Sequence, residues 1–195
     1  MDRYLTTFEI QMLKPIFKDT LRYGSIVCTT NDANIGGAGN SITPAGVPHF
    51  STLVYCPDFS NTTADNQWVF VHEMVHVWQW GHGIYPVNAA VGLFLQTVGD
   101  YVKAYPYDLT AGSNLSDFNI EQQASIVADY WALLTQKLKP QDNKNPKATL
   151  SDYSDVIDQL QKSGPSIRKG CFLPMYGRAT QADSSAINSF SQFRR

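Results

Sequence analysis

Apolar positions recur along this chain at two different spacings. Behind Thr6-Thr7-Phe8-Glu9, whose Thr and Glu have capping-box spacing, Ile10, Leu13, Phe17 and Leu21 follow at helical intervals. The pattern predicts a first helix over residues 7–20, kinked near Pro15. From residue 25 the rhythm shortens. Ser25-Ile26-Val27-Cys28-Thr29 and Thr52-Leu53-Val54-Tyr55-Cys56 read as strands, with a Gly/Asn-rich turn over residues 34–40 between them. Gly36-Gly37-x-Gly39 lacks the Lys-Ser/Thr of a phosphate loop and a strand-to-helix setting, so a hairpin is the reading. A small, mostly antiparallel sheet is expected here.

The helical spacing then returns. Thr62 or Thr63 caps a segment with Asp65 in its first turn, and an apolar run from Trp68 to Trp80 ends at Gly81. Val69, Val71, Met74, Val75, Val77 and Trp78 surround that helix almost completely, which places it at the centre of the fold. Pro86 opens a further expected helix, over residues 86–102, before a loop with Tyr105-Pro106-Tyr107 and Gly112. Asn119 caps a long helix over 120–139, and a last one over 151–162 stops at Gly164-Pro165. The tail from Ser166 is irregular, and no internal repeat is visible.

Composition narrows the function classes. With 195 residues, 43% hydrophobic and 16% charged, the chain fits one domain, residues 1–195, with a substantial aromatic-rich core. Net charge is -2 and the lysines at 137, 139, 144 and 147 surround a Pro/Asn/Asp stretch, so no phosphate-binding stripe exists and nucleic acid is not an expected partner. The longest apolar run, residues 87–98, is too short to span a bilayer. Met1-Asp2-Arg3-Tyr4 leads into a polar amphipathic segment, not a signal peptide, so a soluble protein is expected, reaching any external target by another route. Cys28, Cys56 and Cys171 have no C-x-x-C spacing; a Cys28–Cys56 bridge across the sheet and buried thiols are both open.

Into the central helix falls His72-Glu73-Met74-Val75-His76, an H-E-x-x-H motif. Two histidines four apart share one helical face and can reach a single metal ion, while Glu73 points to its flank. A buried helix carrying two His and a Glu needs something to satisfy them, and a cation does so. The expected ion is Zn2+, and the expected fold is α+β and zincin-like: a small sheet, the motif helix and further packed helices.

A catalytic zinc needs a third protein ligand. His82 has the metzincin spacing after His76, but that pattern needs a glycine three residues beyond the second His, where this chain has Gln79. The better candidate is Glu121. At 100° per residue it shares a face with Ala124, Ser125, Ala128 and Ala132, small side chains that let their helix pack close to the motif helix. The chain has three Glu: Glu9 fits the capping box, Glu73 the motif, and Glu121 opens this face. Glu73 is then the general base, taking a proton from a water that the metal acidifies and passing it to the leaving amine. Asp129, or Ser125, is expected to orient a ligating imidazole, and Tyr105, Tyr107 or His82 to stabilise an oxyanion.

With these residues placed, the chain resembles the gluzincin-type zinc metallopeptidase effector domain fused to, or encoded beside, VgrG spike proteins of bacterial type VI secretion systems. The resemblance covers about two thirds of the chain: Leu5-Thr6 through Phe17, Asn40-Ser41-Ile42-Thr43-Pro44, Asp58-Phe59-Ser60, residues 72–79, and Phe118 to Ala124 with Asp129-Tyr130. It implies zinc ligands His72, His76 and Glu121, catalysis by Glu73, and a toxin delivered into another cell, with a peptide or protein substrate, a VgrG-type spike and an immunity protein as partners. The chain has no spike or repeat region of its own. Two competing readings are a zinc amidase on cell-wall peptides and a non-catalytic binding module, the latter favoured if Glu121 and His82 both saturate one zinc.

Overall fold

The architecture is that of a computed structural model, which describes residues 2–31, 39–85 and 100–163. The fold begins with a strand that the periodicity does not announce, β1 (Arg3–Tyr4). What holds it is charge. The Arg3 guanidinium forks onto the fully buried Glu9 carboxylate at 2.6 and 2.8 Å and also donates to Cys56 O. Glu9 in turn accepts from Phe59 N at 2.8 Å and from Thr6 N, closing the capping box of α1 (Thr7–Phe17). One carboxylate thus ties the chain start, the first helix and the loop at 56–59 together. The helix is shorter than the expected 7–20 because Lys18 turns to a positive φ of 47° and its N–H returns to Lys14 O.

β2 (Val27–Thr30) pairs antiparallel with β1 in the register Arg3↔Cys28, and parallel with β3 (His49–Phe50) in the register Thr29↔His49. The three-stranded sheet has the order β1-β2-β3, so one of its two pairings is parallel, against a mostly antiparallel expectation. The strand expected over residues 52–56 does not form. Ser51 carbonyl takes the N–H groups of Val54 and Tyr55 at 2.9 and 2.8 Å, and Ser51 Oγ takes that of Leu53. These local bonds use the donors a ladder would need, and Leu53 is left in solvent. Cys28 and Cys56 are free thiols, the first buried in β2 and pushed up to about 12 by that burial.

α2 (Ala64–Gly81) starts at Thr63, whose hydroxyl accepts from Asn66 N, and ends where His82 caps it. Ten of its side chains are buried, Val71 to His76 without interruption, as expected of a helix apolar all round. Phe70 stacks on Phe59, which packs on Phe50, joining helix to sheet. α3 (Ile120–Thr135) is capped by Asn119, whose Oδ1 accepts from Glu121 N and Gln122 N, and it stops at left-handed Gln136. Ala124, Ser125, Ala128 and Ala132 are all fully buried on the face turned to the core. α4 (Leu150–Ser163) lays Tyr153, Val156, Ile157 and Leu160 into the core, packing on α1 and α3.

The glycine-rich stretch 34–38, the helix expected from Pro86, Cys171 and the chain beyond 163 lie outside the described residues. No helix among the described residues is long and apolar enough to cross a membrane.

Candidate metal centre

Because α2 presents His72 and His76 one turn apart and Asn119 starts α3 beside them, Glu121 arrives between the two imidazoles. Glu121 Oε2 lies 3.2 Å from His72 Nε2 and 3.3 Å from His76 Nε2. All three side chains are at least nine-tenths buried, and their ligand atoms fall within 4.8 Å of one another. Two nitrogens and one carboxylate oxygen, borderline and hard donors together, are the set that catalytic zinc sites use. The cluster fits a divalent cation.

The residue that stands where a metzincin has its glycine completes this geometry. Gln79 is fully buried, and its Nε2 donates to Ile120 O and to Gln123 Oε1, both at 3.1 Å. Since the amide nitrogen is committed to those oxygens, the amide oxygen must be the atom 2.8 Å from His76 Nδ1, and it accepts there. Nδ1 of His76 therefore carries a proton, and in the neutral imidazole that a metal would need it is Nε2 that turns its lone pair to the cluster. Gln123 is held in turn, donating to Leu115 O and Phe118 O.

Electrostatics point the same way. Burial by itself would lower the His76 pKa, but the Glu121 carboxylate outweighs it and holds the imidazole up to about 9. Burial would raise Glu121, and the two imidazoles instead hold it well below the usual carboxylate range. A buried carboxylate this strongly biased to its charged form calls for a cation beside it, whether a proton on His76 or a metal. Glu73, also buried, is pushed up chiefly by desolvation, and its Oε2 accepts a 2.6 Å hydrogen bond from Thr43 Oγ1.

The other candidate residues spread around this centre. Tyr105 faces it: its ring centroid is 5.8 Å from that of His72, which also stacks on Trp68 at 5.3 Å. Asp129 makes no hydrogen bond to either imidazole. Its Oδ1 accepts from Trp68 Nε1 and Gln141 N, both at 2.8 Å, and the indole it holds is the one stacked on His72. Tyr107 donates its hydroxyl to Asp129 Oδ2 at 2.6 Å, deep in the core, and Ser125 donates to Asp142. His82 sits at the end of α2 with Nδ1 2.7 Å from Trp78 O and its ring against Trp78, apart from the three-residue cluster. An open cleft of about 320 Å³ is lined by Trp68 and Tyr105, whose rings pack on His72, and by Asp65, Val69, Gln141 and Asp142.

No protein-family model matches the chain. Among solved structures, it is similar to the effector domain of Pseudomonas aeruginosa VgrG2b, with a TM-score of 0.58 and 31% sequence identity over 68% of this chain and 75% of that one. The chain belongs to the family of that effector domain, a type VI secretion effector family. Among curated proteins, the type VI secretion system spike protein VgrG2b of P. aeruginosa is 35% identical over 135 residues. That match takes in 66% of this chain but spans only 13% of the length of the spike protein.

Proposed function

We propose that the protein is a zinc-dependent peptidase that serves as a type VI secretion toxin. The observation that carries this reading is the convergence of His72, His76 and Glu121, with Glu73 buried in the same turn of α2 as the two histidines. Zinc held by those three residues supplies Lewis-acid polarisation of a carbonyl and lowers the pKa of water to near neutrality. Glu73 does the proton work. Its carboxylate takes a proton from the attacking water and returns it to the departing amine, and the burial that raises its pKa brings the carboxylate closer to the basicity such shuttling requires. Gln79 keeps His76 in the ligating tautomer. Tyr105, beside His72, takes the role of oxyanion donor, whereas the Tyr107 hydroxyl is committed to Asp129.

Family membership supports delivery with a VgrG-type spike, and an immunity protein in the producing cell follows from a toxin role. The test is metal content and turnover together, on a panel of peptides. The parent binds zinc and cleaves; Glu73→Gln keeps the zinc and loses roughly 10²- to 10⁴-fold in rate. A Glu73→Gln protein as active as the parent, or a zinc-loaded parent that cleaves no peptide, refutes the reading.

A further inference from the structure

The Glu73 carboxylate is not left to find its own orientation. Thr43, itself buried, places its hydroxyl 2.6 Å from Glu73 Oε2 across thirty residues of chain. A hydroxyl facing a carboxylate oxygen donates to it, and so short a bond to an anionic acceptor is a strong one. The same oxygen lies 3.4 Å from the Glu73 carbonyl, so Thr43 sits directly over the turn of α2 from which Glu73 projects.

The segment that carries Thr43 is built for this position. On its N-terminal side Ile42 exchanges two backbone hydrogen bonds with His49, at 2.9 and 2.7 Å, which anchors it to the residue that opens β3. On its C-terminal side the short 3-10 turn Pro44–Gly46 passes through two left-handed residues, Ala45 at φ 51° and Gly46 at φ 74°. Only glycine fits at the second. A Cβ there would lie 2.5 Å from Trp80 Cδ1 and 2.7 Å from Cγ, so the backbone rests directly on an indole of the same helix that holds Glu73. An unfavourable conformation at Ala45 and a close approach at Gly46 persist where the surroundings over-determine them. What they deliver here is Thr43.

From this geometry we infer that Thr43 is the positioning residue of the general base: it engages Oε2 and leaves Oε1 of Glu73 as the atom that takes the proton. Glu73 Oε1 makes no hydrogen bond with any described residue. Thr43 acts through the carboxylate it holds. The inference rests on the peptidase reading for its kinetic consequence, but its structural half stands alone.

The experiment pairs Thr43→Val, which keeps the shape and removes the donor, with Thr43→Ser, which keeps the donor. In the zinc-loaded protein, Thr43→Val is expected to lower kcat about 10- to 100-fold, the range typical for losing an orienting partner, with KM and zinc content within about twofold of the parent. Thr43→Ser restores kcat to within about threefold. Gly46→Ala, which forces the loop off Trp80, lowers kcat in the same direction. Crystal structures of the two Thr43 variants give the readout that needs no activity: the Glu73 carboxylate leaves its place in Thr43→Val and keeps it in Thr43→Ser. An unmoved carboxylate in Thr43→Val, or a kcat equal to that of the parent, overturns the inference. If the parent cleaves no peptide, the peptidase reading falls, and the position of the Glu73 carboxylate in the two crystals still decides the role of Thr43.

Discussion

Replacing Gln79 separates two jobs that one amide performs. Gln79→Leu keeps roughly the same volume but leaves His76 Nδ1–H without its acceptor and Gln123 Oε1 without its donor in a buried setting, while Ile120 O keeps its helical bond. A buried polar group stripped of its partner costs about 1–3 kcal/mol, so two such groups cost on the order of 2–6 kcal/mol of folding stability, a large part of what a domain of this size has. Metal affinity suffers separately. Once His76 is free to turn or change tautomer, binding weakens by about 10- to 100-fold, or about 1.4–2.7 kcal/mol. Gln79→Glu is the discriminating partner: it still accepts from His76 Nδ1–H but turns an oxygen toward Ile120 O at 3.1 Å. Its metal affinity therefore stays at or above that of the parent while its stability falls. Chelator competition measures the first quantity and urea unfolding of the metal-free proteins the second. If Gln79→Leu binds metal as tightly as the parent, the tautomer argument is wrong, whatever happens to stability.

Other consequences follow from the same hydrogen-bond map. Asp129 accepts from Trp68, Tyr107, Gln141 N and Asp142 N, and every partner is a donor. Asp129→Asn turns an amide N–H toward at least one of them and should cost about 2–4 kcal/mol in denaturant unfolding, with a loss below about 1 kcal/mol counting against the network. The metal-free cluster should also make stability depend on pH. His76 is held up to about 9 when folded against about 6.5 when unfolded, so its contribution is complete below pH 6.5 and disappears as pH rises through 9. Metal-free protein should accordingly lose on the order of 3 kcal/mol between those limits, and thermal melts in chelator at pH 6 and pH 9 check the sign. Stability rising over that interval would show that His76 is neutral in the metal-free fold.

How far the sequence carries depends on how far apart the interacting residues lie. The motif histidines are one turn apart, and Glu121 was legible at a distance because the small residues Ala124, Ser125, Ala128 and Ala132 mark a face built for close packing. The helix caps at Thr6 and Asn119 are local signals and sit where the spacing put them, and Thr63 is one of the two threonines the pattern offered for α2. What escaped is held by contacts of long range. Thr43 reaches Glu73 across 30 positions, Gln79 reaches Gln123 across 44, and Trp68 reaches Asp129 across 61. Gln79 nevertheless carried a signal: a long amide three residues after the second motif histidine lies next to it on the helix surface. β1 has two residues and no periodicity, and strands of four and two residues carry no signal of whether β2 and β3 pair parallel or antiparallel. The segment at 52–56 shows the converse failure, a strand-like composition overruled by a serine that closes a turn on itself.

The central claim is that α2 and α3 share one metal ion through His72, His76 and Glu121. Metal content of the purified parent, Glu121→Ala and His82→Ala proteins tests it most directly. About one zinc per chain is expected in the parent and in His82→Ala, and almost none in Glu121→Ala, because a tetrahedral site reduced to two protein ligands holds the ion weakly. Zinc retained in Glu121→Ala and lost in His82→Ala would contradict it.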